Sequence, residues 1–128
     1  MLNNAKTFSS FSVRDLKNAR SFYGDTLQLN VSEMPEGLQL QLGDGSSVFI
    51  YPKPQHSPAS FTVLNFVVNN LEKTVDELSG RGVHFEIYNQ PDIKTDSKGI
   101  HRGTQGPPKI AWFKDPDGNI LSVLETGQ

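Results

Sequence analysis

What most restricts the fold open to this chain is an order of apolar periodicities that occurs twice. Residues 7–13, TFSSFSV, alternate in polarity, and RDLKNARSFYGDTL follows with Leu16, Ala19, Phe22 and Tyr23 at helical spacing. Asp15 stands where an N-cap is wanted and Gly24 where the helix is expected to stop. Three short runs come next, LQLNVSEM, LQLQL and SSVFIYP, separated by the turn signals Pro35-Glu36-Gly37 and Gly43-Asp44-Gly45. Residues 53–60, KPQHSPAS, carry no periodicity and read as a linker. The pattern then restarts. FTVLNFVV predicts a strand, and NNLEKTVDELSGRG predicts a helix with Leu71, Val75 and Leu78 as its apolar stripe and Asn69 with Glu72 as a capping box. VHFEIYN, a long polar stretch from Gln90 to Pro108, KIAWFK and ILSVLE complete it.

The predicted architecture is one α+β domain over residues 1–128, made of two β-α-β-β-β modules (6–52 and 61–126) joined by the 53–60 linker. The repeat is visible position by position. Val13, Asp15 and Leu16 return as Val68, Asn70 and Leu71 after 55 residues, and Asp44-Gly45 returns as Asp117-Gly118 after 73. The difference is about the extra length of the 90–108 stretch, and a loop that long in a compact domain suggests a functional or mobile segment covering a cleft.

Composition excludes several classes of function. Twelve Lys and Arg against 14 Asp and Glu leave a net charge of −2, without the basic footprint of a nucleic-acid or anionic-membrane binder. The absence of cysteine removes disulfides, thiolate metal sites and thiol nucleophiles. No segment has the apolar core of a signal peptide or approaches the roughly 20 apolar residues of a membrane span, so a cytoplasmic protein is expected.

Near the end of the chain, FKDPDGN sets two carboxylates beside a glycine. Its chemistry is that of a corner: Pro116 pre-sets a type I turn, Asp115 accepts backbone hydrogen bonds, and Gly118 tolerates positive φ. This motif, the Val-x-Asp-Leu…Phe-Tyr…Leu set (Val13, Asp15, Leu16, Phe22, Tyr23, Leu27) and the internal repeat resemble the vicinal oxygen chelate superfamily. That group includes glyoxalase I, bleomycin resistance proteins, extradiol dioxygenases and fosfomycin-resistance transferases. The resemblance implies the glyoxalase/bleomycin resistance/dihydroxybiphenyl dioxygenase fold, in which the modules form a half-open barrel-like cleft, and a homodimer.

The resemblance also implies where a divalent ion would be held: in the first strand seven residues before the Asp of Val-x-Asp-Leu, and in the last strand four residues after the turn glycine. Those positions are Phe8 and Phe49 in module one and Val63 and Ser122 in module two. None is a usual metal ligand. With the helix-facing residues Phe11, Val13, Val48, Ile50, Leu64, Phe66 and Val68 fixing the registers, the expected cleft face reads Phe8, Ser10, Ser12, Phe49, Tyr51, Val63, Asn65, Val67 and Ser122. This is an apolar pocket with a few hydrogen-bonding groups, the usual make-up of a small-molecule site.

The first reading is therefore a protein without metal or other cofactor that binds a small organic molecule, by sequestration as bleomycin resistance proteins do. The alternatives are a metal-dependent lyase, isomerase or dioxygenase, a metal-independent catalyst using Tyr51 or His101, and a protein-interaction module with a filled cleft. Among the remaining candidates, His101 and Arg102 would offer an acid and an anion clamp from the long loop. His56 in the linker and His84 at the opening of a strand are expected at the surface or in a loop role, Glu86 lies on the face of His84, and Glu125 is expected to point away from the cleft. Trp112 is expected in the core or at a dimer interface. Gly99, Gly103 and Gly106 do not follow a strand as a phosphate loop requires.

Overall fold

The computed structural model describes residues 1–103 and 106–126 and divides into two units, Met1–Ser57 and Pro58–Gln128. In the first, β1 (Ser9–Val13) leads into α1 (Leu16–Arg20). The Asp15 side chain accepts hydrogen bonds from the Lys17 and Asn18 amides and so caps this helix. The helix does not stop at Gly24. It widens into a π-helical stretch, Ser21–Thr26, in which the Leu27 amide reaches back to the Phe22 carbonyl, and the chain leaves it through Gln28 at φ 60°. Tyr23 is thereby buried, against Phe11 and edge-on to Phe22.

Three strands follow, β2 (Asn30–Met34), β3 (Gly37–Gln41) and β4 (Ser47–Pro52), in the sheet order β1-β4-β3-β2. The β1–β4 pair is parallel and the others antiparallel. Phe11, Val13, Leu38, Leu40, Val48 and Ile50 fill the covered face. Period-2 alternation leaves Ser10, Ser12, Gln39, Phe49 and Tyr51 on the other.

The second unit repeats this order with one interruption. Its elements are β5 (Thr62–Val67), α2 (Leu71–Gly80), β6 (Ile100–Gly103), β7 (Gly106–Lys114) and β8 (Ile120–Glu125), with sheet order β5-β8-β7-β6 and a parallel β5–β8 pair. The cap of α2 is Asn70 and not Asn69: the Asn70 side chain accepts from the Lys73 amide at 3.1 Å, while Glu72 turns to Arg102. Leu71, Val75, Ile100, Ala111, Phe113, Leu121 and Val123 form the core of this unit.

The strand expected over residues 83–89 is an edge strand interrupted after Glu86, and part of the loop expected over 90–108 is strand as well: Ile100–Gly103 resume that edge and Gly106 opens β7. Phe85 bridges Phe113, and the Glu86 amide donates to the Trp112 carbonyl at 2.8 Å. The chain then leaves β7 for residues 87–99 and returns at Ile100, which pairs with Ala111. The excursion is fastened: Thr95 exchanges hydrogen bonds with the Tyr88 backbone, and Asp96 accepts from the Lys98 and Ile100 amides. Lys98 pairs with Asp76 of α2 at 3.1 Å. Thr104 and Gln105 of the predicted loop lie outside the described residues.

Gly99 closes the excursion at φ 89°, and a Cβ there would stand 2.8 Å from Phe85 Cβ and 3.1 Å from the Glu86 carbonyl oxygen. Gly99→Ala is expected to lose roughly 2–4 kcal/mol, from the left-handed backbone and the clash combined. Urea unfolding measures this; a loss below about 0.5 kcal/mol, the level of an unconstrained surface change, would remove Gly99 from that role.

Candidate functional site

Cross-strand partners share a face, so the ladders fix which side chains meet. In the first sheet, Ser10, Phe49 and Gln39 form one row and Ser12 and Tyr51 the next. Phe49 and Tyr51 stack 6.3 Å apart with their planes 16° from parallel. Phe8, 68% exposed, joins Phe49, Met34, Gln39 and Ser47 around a pocket of about 260 Å³. Two of the residues predicted for the site, Phe8 and Phe49, are thus brought together in a lining that carries no charge.

In the second sheet, Asn65, Ser122 and Trp112 form one row, and Val67, Leu124, Ile110 and His101 the next. The buried Ser122 hydroxyl donates to Asn65 Oδ1. Val63 falls in a register shift between Thr62 and Leu64. Tyr88 and His101 flank the Trp112 ring, with centroids 5.6 and 6.3 Å from it. Burial, followed by the negative charge of Glu86, raises the Tyr88 phenol above its ordinary pKa, so it is neutral and able to donate at physiological pH.

Adjacent residues of a strand face opposite sides, and this separates the predicted pair His101 and Arg102. Arg102 does not join the open face. Its row is that of Lys109 and Glu125, and its guanidinium binds Glu72 of α2 at 2.9 Å and Asp96 at 3.1 Å. Glu125 lies on that helix side as expected, accepting from the Leu71 amide. Glu86 pairs with Lys114 at 3.8 Å.

Burial would raise the Asp96 carboxyl, but the Ile100 and Lys98 amides and Arg102 outweigh it and hold it below its ordinary value of 3.8. A carboxylate depressed by folding stabilises above its unfolded pKa and loses that contribution as pH falls through the folded one. The expected result is that the stability difference between wild type and Asp96→Asn is full above about pH 5 and shrinks as pH falls below about 4. Thermal melts across that range measure it, and a difference independent of pH would contradict it.

His56 lies in the linker loop as expected but is not at the surface. It is only 5% exposed, because the linker folds back onto β1: Nδ1 lies 2.7 Å from Ser12 Oγ, and the His56 carbonyl accepts from Arg14 at 3.0 Å. A linker without periodicity gave no sign of this.

The metal expected from the family resemblance does not fit the residues present. Two phenyl rings and an isopropyl group at Phe8, Phe49 and Val63 offer no lone pair, and the Ser122 hydroxyl is engaged with Asn65. Among the described residues, no group of three or more His, Cys, Asp or Glu is placed to hold an ion.

Residues 8–123 match the Glyoxalase/Bleomycin resistance protein/Dioxygenase superfamily. The chain belongs to that superfamily. Within reach of this glyoxalase-superfamily chain by sequence is the uncharacterized protein YraH of Bacillus subtilis (strain 168), 25% identical, with 88% of this chain and 91% of YraH covered. Among solved structures, TnmS3, an antibiotic binding protein from Streptomyces sp. CB03234, is similar at TM-score 0.64 and 22% identity, covering 97% of this chain and 98% of its own. The genomically encoded fosfomycin resistance protein FosX from Listeria monocytogenes is similar at TM-score 0.69 and 15% identity, covering 95% and 93%. These structural likenesses establish the fold: two tandem βαβββ modules with open, unclosed sheets. Among the described residues, no helix is long and apolar enough to cross a membrane.

Proposed function

We propose that this glyoxalase-superfamily protein binds a small organic molecule on an open sheet face without a divalent metal, and acts by holding that molecule and not by transforming it. One observation carries the reading. The positions from which relatives would offer metal ligands instead supply Phe8 and Phe49 to an uncharged pocket of about 260 Å³, and a closed Ser122–Asn65 pair. Such a lining, apolar with few polar groups, suits an organic ligand and polarises nothing. The likeness to an antibiotic binding protein supports the same direction at the level of fold.

Elemental analysis of the purified protein is expected to find well under one divalent ion per chain, whereas about one Zn, Ni, Fe or Mn per chain would refute the reading. A thermal-shift screen is then expected to return organic compounds that raise the melting temperature, since a ligand selective for the native state stabilises it. A broad library without a stabilising compound would favour a protein-interaction role.

We also propose that the protein is a cytoplasmic homodimer. The exposed apolar side chains Phe61 and Ile87 of the second unit support the dimer. Light scattering is expected to give twice the 14.2 kDa chain mass, and a monomer at micromolar concentration would contradict it.

A further inference from the structure

The excursion at residues 87–99 does more than lengthen the chain, for it sets Tyr88 against Trp112 on the open face of the second sheet, beside His101. We propose that this face recognises a planar, uncharged aromatic compound bearing a hydroxyl or N–H donor, with Trp112 and Tyr88 contacting the ring and His101 Nε2 accepting the donor's hydrogen. The inference rests on the small-molecule reading above and names its ligand class.

Three observations lead to it. First, His101 Nδ1 lies 2.8 Å from the Lys94 carbonyl oxygen, which only accepts. The proton of the neutral ring is therefore on Nδ1, and Nε2 keeps its lone pair as an acceptor. The carbonyl belongs to the excursion, so the segment that brings Tyr88 also sets the tautomer of His101. Second, the rows Asn65–Ser122–Trp112 and Val67–Leu124–Ile110–His101 contain no permanently charged side chain. Of the charged side chains on β7 and its edge strand, Glu86 is paired with Lys114, and Arg102 lies on the other face with Glu72 and Asp96. A charged ligand would lose hydration here without a counter-charge. Third, Val67 is 68% exposed and Trp112, Tyr88 and His101 are half-buried, so aromatic and aliphatic surface is available beside the acceptor. Burying a flat ring on such surface is favourable, and the edges of Trp112 and Tyr88 set its orientation.

The test uses the intact protein and three probes: 2-naphthol, its methyl ether 2-methoxynaphthalene, and anionic naphthalene-2-sulfonate. Trp112 is the sole tryptophan, so its fluorescence reports on this face while calorimetry gives affinity. The expected result is that 2-naphthol binds and perturbs Trp112, about tenfold tighter than the ether, with the sulfonate weaker still; tenfold is what one hydrogen bond of ordinary strength provides. His101→Phe keeps a ring and removes the acceptor, so the preference for naphthol over the ether is expected to vanish while the ether still binds. Equal affinities of naphthol and ether for the wild-type protein would overturn the proposal, as would a preference that survives in His101→Phe, or no binding by any probe. The wild-type comparison stands even if the variant is unstable. Failure here alongside stabilisation by other compounds in the thermal screen would sink this ligand class and leave the small-molecule reading intact. One divalent ion per chain would instead sink that reading.

Discussion

Replacing Gly37 with alanine is expected to cost roughly 3–5 kcal/mol of stability, more than an ordinary overpacking change. Gly37 opens β3 opposite Met34, where the chain passes so close to β4 that a Cβ would stand 2.1 Å from the Ile50 carbonyl oxygen. That atom is backbone, in a residue paired with Phe11 in a parallel and with Leu38 in an antiparallel ladder, and has no rotamer through which to yield. The same Cβ would meet Phe49 Cζ at 3.0 Å. The bare backbone at Gly37 is thus what allows the Phe49 ring to lie along the sheet and line the pocket with Phe8 and Met34. Denaturant unfolding measures the loss. A variant within about 1 kcal/mol of wild type would show that β3 and β4 do not approach this closely.

The second large effect is expected at Asp115. Its carboxylate is buried and accepts hydrogen bonds from the Asp117 amide at 3.0 Å, the Asn119 amide at 2.8 Å and the Asn119 side chain at 2.9 Å. Asp115→Ala would strip all three donors of this partner, in a corner where Asn119 is buried as well. The expected loss is about 4 kcal/mol, since each buried donor left unmatched costs on the order of 1–3 kcal/mol and the three are not independent. Asp115→Asn, which keeps one acceptor, is expected to lose about half as much. Equal stability of the alanine variant and wild type, by calorimetry or denaturant unfolding, would contradict this account of the corner.

The FKDPDGN motif shows why much of the fold was legible in the sequence. Turn chemistry is local: Asp115 binds donors two and four residues ahead, and Gly118 adopts φ 89° as its lack of a Cβ permits. Strand alternation is local too, and it placed Ser10 with Phe49 and Asn65 with Ser122 on open faces. What stayed hidden depends on distant contacts. Nothing near His56 announces that Ser12, 44 residues away, will receive its ring. Nothing near Val83 announces that the second strand of module two will break at Ile87 and resume at Ile100, because closure depends on Gly99 meeting Phe85 and Glu86. In a polar stretch without periodicity, residues 100–103 show no alternation, and chain adjacency groups His101 with Arg102 although the strand sends them to opposite faces. The meeting of Tyr88 with Trp112 follows from that same interruption and left no periodic trace.

The central claim is that an open sheet face holds an organic ligand without a metal, and it is tested most directly by measuring ligand-induced stabilisation with and without a chelator. The compound giving the largest melting shift in the thermal screen is measured again after exhaustive EDTA treatment, and once more after adding one equivalent of Zn, Mn, Ni or Fe. The account predicts the same shift in every sample. A shift abolished by EDTA and restored by one equivalent of a divalent ion would contradict it.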